Sequence, residues 1–289
     1  MGEPIPLRVA QQRQLQDGEL QWINPADWGD REPPRLDWLV HGCFIAGTVA
    51  LLAGDGGVGK SLIMQQLLTA SSLGHDWLRL PTKRVPSIAI FAEDDADELE
   101  RRQHAINRHY GCCNEDLVEH TCWLARPGQD NALMKFGRWG GAGERTRLYE
   151  KFRQRALDMH AQLIVLDTRK DVFQGNAIDE DQIRTFLATL RRLAIEIGGT
   201  VIITEHPSRS GISDGSGRNG SVQWGNSVRS RLYFVKNRDK TVELKTMKVN
   251  SGPPDGRVPL LWRDGVFQRV EKPATRDFTE PGFGQEWPG

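Results

Sequence analysis

Residues Gly54-Asp55-Gly56-Gly57-Val58-Gly59-Lys60-Ser61 carry the pattern G-x-x-x-x-G-K-[ST]. Glycines at these spacings let the backbone turn so that successive N–H groups converge on a β-phosphate. A lysine following them reaches the β- and γ-phosphates, and the next hydroxyl is placed to hold Mg²⁺. The nucleotide-binding set is therefore Gly54, Asp55, Gly56, Gly57, Val58, Gly59, Lys60, Ser61 and Leu62, and the cofactors it asks for are ATP and Mg²⁺. The bland alternative is a glycine-rich turn with a chance Gly-Lys-Ser. Two acids join the set. Glu93 follows the apolar run 85–92, where a base that orients an attacking water belongs. Asp167 closes the apolar run Leu163-Ile164-Val165-Leu166, so Ser61 and Asp167 form the candidate Mg²⁺ site, Asp167 acting through water. Either acid could instead cap the helix after it, the role read for Asp94 and Asp95.

These groups need strands to carry them. Thr48 to Ala53 is β-branched and apolar, and 62–68 has helical apolar spacing, which gives the strand–loop–helix setting of a phosphate cradle. Further strands are expected at 85–92, 163–168 and 200–205. Helices are expected at 97–107, 145–159 and 182–197, the last ended by Gly198-Gly199. Residues 108–143 read as loop, with 137–143 as a hairpin or disordered tip, and 171–181 reads as another loop. Paired strands come next at 228–236 and 241–249, then a last hairpin turning at Arg263-Asp264-Gly265. Residues 36–46 lead into the first strand and are expected to help form the base pocket.

The stretch 207–221 is built of Gly, Ser, Arg and Asn, cannot build a core, and reads as mobile. Its Arg209 and Arg218 have only Asp214 for an acid nearby. Such a loop can touch a polyanion through these two residues, against the alternative of an ordinary surface loop. Composition sets the domain boundaries: an N-terminal arm over 1–35, flexible or packed on a neighbour, a catalytic domain over 36–270, and a disordered tail over 271–289. Trp22 and Trp28 either anchor the arm on a neighbour or pack on their own core.

The 289 residues include 38 basic and 38 acidic ones, so the net charge is zero and any nucleic-acid contact is local rather than a basic coat. No run of 18 apolar residues occurs, and the expectation is a cytoplasmic protein without membrane contact. Four cysteines, Cys112 and Cys113 adjacent, lack any C-x-x-C pair and read as reduced rather than zinc-binding.

In order along the chain, Ala-Gly-Asp-Gly-Gly-Val-Gly-Lys-Ser (53–61), Ala-Glu-Asp (92–94), Ile-Val-Leu-Asp-Thr (164–168), Glu-His (205–206), Val-Arg-Ser-Arg (228–231) and Met-Lys-Val-Asn-Ser-Gly-Pro (247–253) resemble the RecA-like ATPases. Within them the set is similar to the hexameric replicative helicases of the plasmid RepA type and their phage and prophage relatives. That resemblance implies an α/β, doubly wound RecA-like fold with a mostly parallel sheet and antiparallel C-terminal edge strands. It implies Glu93 as catalytic glutamate, Asp167 as the second Mg²⁺-site acid and His206 as γ-phosphate sensor. Arg229 or Arg231 would be an arginine finger for the neighbour's ATP, with Lys248 also reaching across. Both arginines could equally pair with acids or solvent. The chain departs from the RepA type in having Glu205 before His206 where that type has two histidines, and from DnaB-type relatives in having Asn250. The function implied is an ATP-driven, ring-forming DNA helicase or translocase of a plasmid or phage-like element. Its partners would be single-stranded DNA, further copies in a homo-oligomer (a hexamer by this resemblance) and replication-initiation proteins. The same resemblance would make the polyanion at the loop 207–221 DNA, and Arg209 and Arg218 the DNA-binding residues. The alternative is a RecA-like DNA-binding ATPase without unwinding activity, such as a recombination mediator or helicase loader.

Overall fold

In a computed structural model, the structure describes residues 20, 22–137, 142–237, 241–250 and 256–270. The tail 271–289, most of the arm, the glycine tip at 138–141, the turn at 238–240 and residues 251–255 lie outside the described residues. Among the described residues the chain forms a nine-stranded sheet. Its centre is β3 (Thr48–Gly54), after a small hairpin of β1 (Trp38–Val40) and β2 (Phe44–Ile45). Helix α1 (Lys60–Leu73) leaves the glycine loop, followed by β4 (Ser87–Phe91), α2 (Ala96–Tyr110) and β5 (Thr121–Ala125). The two-residue strands β6 (Met134–Lys135) and β7 (Glu144–Arg145) pair antiparallel around the glycine tip. Next come α3 (Arg147–Asp158), β8 (Leu163–Asp167), α4 (Arg169–Val172), β9 (Phe173–Gln174), α5 (Glu180–Glu196) and β10 (Thr200–Glu205). The chain continues through α6 (Arg209–Ser213), α7 (Gln223–Ser227), β11 (Ser230–Lys236), β12 (Val242–Val249), β13 (Arg257–Arg263) and β14 (Val266–Arg269).

The sheet order is β14-β13-β12-β11-β3-β10-β8-β4-β5. Strands β11, β3, β10, β8, β4 and β5 are mutually parallel, and β12, β13 and β14 continue antiparallel. Every residue of β3, β4, β8 and β10 is buried, which is why these segments are unbroken apolar runs rather than alternating ones. Helices α1 and α2 pack on one face around Leu67, Ile63 and Ile106. Helices α3 and α5 pack on the other around Phe152, Phe186 and Leu190. This is the doubly wound, RecA-like α/β fold with an antiparallel C-terminal edge.

Parallel pairing brings the strand ends to one edge. Ala53 stands opposite Glu205, and Phe91 opposite Asp167. The phosphate loop, Glu93, Asp167 and His206 therefore share the carboxyl edge of the sheet, where open α/β sheets bind ligands. By the same logic the hairpin β1–β2 cannot form a base pocket. It feeds the amino end of β3, where Gly47 N–H donates to Gly199 O and Thr48 Oγ1 to Ile45 O. That is the far edge from the phosphate loop, so the expected role of 36–46 is corrected. Strand β5 lies where loop was expected. It is a short edge strand with every residue half-buried, so its Thr-Cys-Trp-Leu-Ala carries no strong alternation. Trp22 and Trp28 are 90 % and 49 % exposed and do not belong to this core.

The last hairpin reaches back to the phosphate loop. Gln66 on α1 accepts from Phe267 N–H at 2.9 Å and donates to Phe267 O at 3.0 Å, all in the buried interior. The Phe267 ring meets Phe234 edge-on at 5.0 Å and fills the space against Gly59. Gln66→Leu would leave both Phe267 backbone groups dry and unpaired. The expected outcome is a loss of about 1–3 kcal/mol per stranded group at most, read as a lower denaturation midpoint in urea.

Candidate nucleotide site

Helix α1 starts at Lys60 with Gly59 as its N-cap, at φ +98° and with no side chain capping the first turn. Only glycine adopts that backbone without strain, and a Cβ there would meet the Phe267 ring at 2.7 Å. Gly54 is as constrained, since its Cβ would stand 2.9 Å from Phe234 O. The result is an exposed loop at Gly56 and Gly57 leading into a helix end with free N–H groups, a cradle for an anion. Asp55 accepts from Tyr233 Oη at 3.1 Å, which ties the loop to β11, while Val58 and Leu62 are buried beneath it.

Lys60 is only 5 % exposed. Its Nζ donates to Gly54 O at 2.8 Å, to Asp55 O at 3.0 Å and to His206 Nδ1 at 3.2 Å. Because an ammonium is donor-only, Nδ1 must be the acceptor and His206 is the neutral Nε2–H tautomer. Burial pushes the His206 pKa down, and the charge on Lys60 pushes the same way. Burial also lowers that of Lys60, opposed by Asp167, Glu93, Asp55 and Glu205 in that order. The lysine is thus a cation held dry among carboxylates.

Asp167 is 1 % exposed. Burial raises its pKa, and hydrogen bonds from Ser61 and Thr204 oppose the shift. Thr204 Oγ1 donates to Oδ1, whereas Oδ2 is buried without a partner. Hydroxyl and carboxylate oxygens with one lone pair set unfilled are the donors that a hard divalent cation takes, so Ser61 and Asp167 fit Mg²⁺. Glu93 is exposed at the mouth of the site, close enough for its charge to act on Lys60 and Asp167. The next two acids have separate roles. Asp95 caps α2 by accepting from Glu98 N–H. Asp94 does not cap. It takes a bidentate pair from Arg102 at 2.6 and 2.9 Å, a partner eight residues on that local spacing did not reveal.

The structure separates the other predicted residues. Arg229 is exposed, but Arg231 is 8 % exposed and donates through Nη2 to Ser216 O at 2.5 Å. Arg229 lies just before β11, which begins at Ser230, and Arg231 stands opposite Lys248 in the pairing of β11 with β12. Lys248 Nζ donates to Gly225 O and Asn226 O, both at 3.1 Å. Arg209 and Arg218 are exposed on the loop 207–221. That loop is closed on itself. Ser208 N–H donates to Arg218 O, Gly217 N–H to Gly211 O, and Asn219 Nδ2 to His206 O. Ser208 also caps α6, and the Gly217 backbone lies against the Tyr233 ring.

One cluster had no signal in the sequence. Glu205, 2 % exposed, lies 3.2 Å from Arg169 Nε, and the Arg169 guanidinium sits 4.5 Å over the Trp224 ring. Neither Glu205 Oε2 nor Arg169 Nε has a hydrogen-bond partner, so this is a charge contact without hydrogen-bond alignment. The residues come from three segments far apart in the chain, and only the run Thr204-Glu205-His206 at a strand end hinted at them. Among the described residues no helix is long and apolar enough to cross a membrane.

Glycine loop, dry lysine, buried acid and parallel sheet define a P-loop NTPase of the RecA-like class. In fold the chain is similar to a crystal structure of a KaiC-like protein from the hyperthermophilic archaeon Pyrococcus horikoshii. The TM-score is 0.56, over 81 % of this chain and 94 % of that one, at 16 % identity. A family model described as an AAA domain matches residues 15–211, and the chain belongs to this AAA domain family of RecA-like P-loop ATPases.

Burial pushes the Glu205 carboxyl from 4.5 up to about 7, against the pull of Arg169, Arg231 and Lys60. Below its unfolded value the group is protonated in both states. Above that value the folded protein keeps a proton that the unfolded chain has lost, so this contribution to stability falls as pH rises. Urea midpoints between about pH 5 and pH 7 are expected to fall in the wild type and to vary less in Glu205→Gln.

Proposed function

We propose that the chain is an ATP-hydrolysing, ring-forming translocase of single-stranded DNA, acting as a helicase in replication of a plasmid or phage-like element. The observation that carries this reading is the hydrogen bond from Lys60 to His206, because His206 stands at the root of the loop bearing Arg209 and Arg218. A γ-phosphate entering the cradle competes for the Lys60 ammonium and frees the His206 ring. Asn219, bonded to the His206 carbonyl, passes the change to the loop. Loop arginines grip a backbone by charge, without reading sequence.

Hydrolysis uses the same groups. Glu93 orients the water and takes its proton as oxygen attacks the γ-phosphorus and the bond to the β–γ bridging oxygen breaks. Lys60 and the loop N–H groups stabilise the charge that develops on the phosphoryl oxygens. Mg²⁺ held at Ser61 and Asp167 would supply further charge neutralisation. Arg229, exposed just before β11, is the arginine offered to a neighbour's ATP, whereas Arg231 is engaged within its own subunit.

Lys60→Ala is expected to abolish turnover. Arg229→Ala is expected to cost about 10³–10⁵ in rate, the range of a lost finger. Mixing the two inactive variants should restore part of the activity, because a shared site needs one good face from each subunit. A strict monomer with ATP analogue and DNA, or no rescue on mixing, would remove the ring. DNA-stimulated hydrolysis without strand displacement would leave an ATPase that binds DNA but does not unwind it.

A further inference from the structure

Behind the loop 207–221 lies a cavity of about 340 Å³, separate from the phosphate cradle. It is within the lower range of small-molecule sites, about 300–1,000 Å³. Its walls come from the end of β10, the loop, α7 and the strands β11 and β12. Cations crowd one side: Arg218, Arg231 and Lys248. Lys248 has its pKa lowered by burial first and then by the charges of Arg229 and Arg231, so these cations crowd one another, with Glu205 and Asp214 as the acids acting on Arg231. The cavity's acid, Glu205, is already drawn to Arg169. Trp224, Val222 and Met247 supply apolar wall, and Asn219 and Asn226 supply amide groups.

We propose that this cavity binds one phosphorylated nucleoside unit. The phosphate lies against Arg218 and Arg231, guanidinium groups with N–H donors to spare, since Arg231 commits only one of its nitrogens to Ser216 O. The sugar and base lie along Trp224 and Met247, with their hydroxyl or amino donors turned toward the Glu205 side. A phosphate is repelled from that acid, so the ligand has a single orientation. Such a unit comes from either of two sources, a free mononucleotide or one residue of a single strand lying over the loop. The second source rests on the function proposed above; the first does not.

The test keeps the cradle saturated with a non-hydrolysable ATP analogue and titrates two probes, deoxythymidine 5′-monophosphate and a labelled oligothymidylate. Gly225→Leu fills the cavity: a Cβ there meets Arg231 Cδ at an ordinary 3.5 Å, and the rest of the side chain projects into the space. Arg218→Ala removes a cation from an exposed position and leaves packing untouched. Both variants are expected to weaken one or both probes by roughly tenfold or more. Gly225→Leu should keep the wild-type melting temperature and DNA-free ATP turnover. Loss confined to the oligonucleotide assigns the site to the strand; loss of the mononucleotide assigns it to a free ligand, even if the chain binds no DNA. If Gly225→Leu binds the oligonucleotide as tightly as the wild type and the mononucleotide never binds, the inference is overturned; a loss confined to Arg218→Ala then leaves the loop arginines as the DNA contact, and no loss in either variant removes Arg218 from that contact as well.

Discussion

The structure depends on keeping charge in a dry place. Parallel strands that are apolar on both faces end together, and at their ends stand Lys60, Asp167 and Glu205, all nearly solvent-free. An ion taken from water must be compensated by partners, or its protonation state shifts. Here the partners are shared. Lys60 rests on two loop carbonyls and the His206 ring, Asp167 on Thr204 and Ser61, and Glu205 on Arg169. One buried oxygen of Asp167 has no hydrogen-bond partner, and it is the donor that a metal–nucleotide complex would use.

Holding that arrangement in register is the task of packing. Seven fully buried residues of β3 fix where the glycine loop begins, and Gly59 lets the chain enter α1 with its first N–H groups free. The antiparallel edge then returns to brace it. Phe267 sits on the glycine side of the loop, and Gln66 satisfies the Phe267 backbone with its own amide. The C-terminal hairpin, the last element among the described residues, is thus part of the nucleotide site's foundation.

Much of this was legible in the residues. Unbroken apolar runs announced the central strands because parallel strands buried on two sides need no polar face. Glycine spacing announced the cradle, and an acid closing an apolar run announced Asp167. The contacts that stayed hidden required knowledge of the fold beyond one helical turn. Arg102 reaches back eight residues to Asp94, Arg231 turns inward to a loop fifteen residues before it, and Arg169 meets Glu205 and Trp224 from other segments. Composition also misrepresented 207–221. A stretch too polar to bury a core can still be ordered by hydrogen bonds, as Ser208, Asn219 and the backbone of Arg218 demonstrate. The base-pocket expectation for 36–46 failed for a topological reason: residues that lead into β3 sit at its amino end, and the phosphate loop leaves from its carboxyl end.

Tyr233 has a part beyond packing. Its hydroxyl holds Asp55 of the phosphate loop, and its ring face is the surface on which Gly217 rests. One aromatic plate therefore joins the phosphate loop to the loop 207–221, with no flexible side chain between them. A Cβ at position 217 would stand 2.6 Å from that ring, so any side chain there would lift the loop off the plate, and the glycine sets the clearance between the two loops.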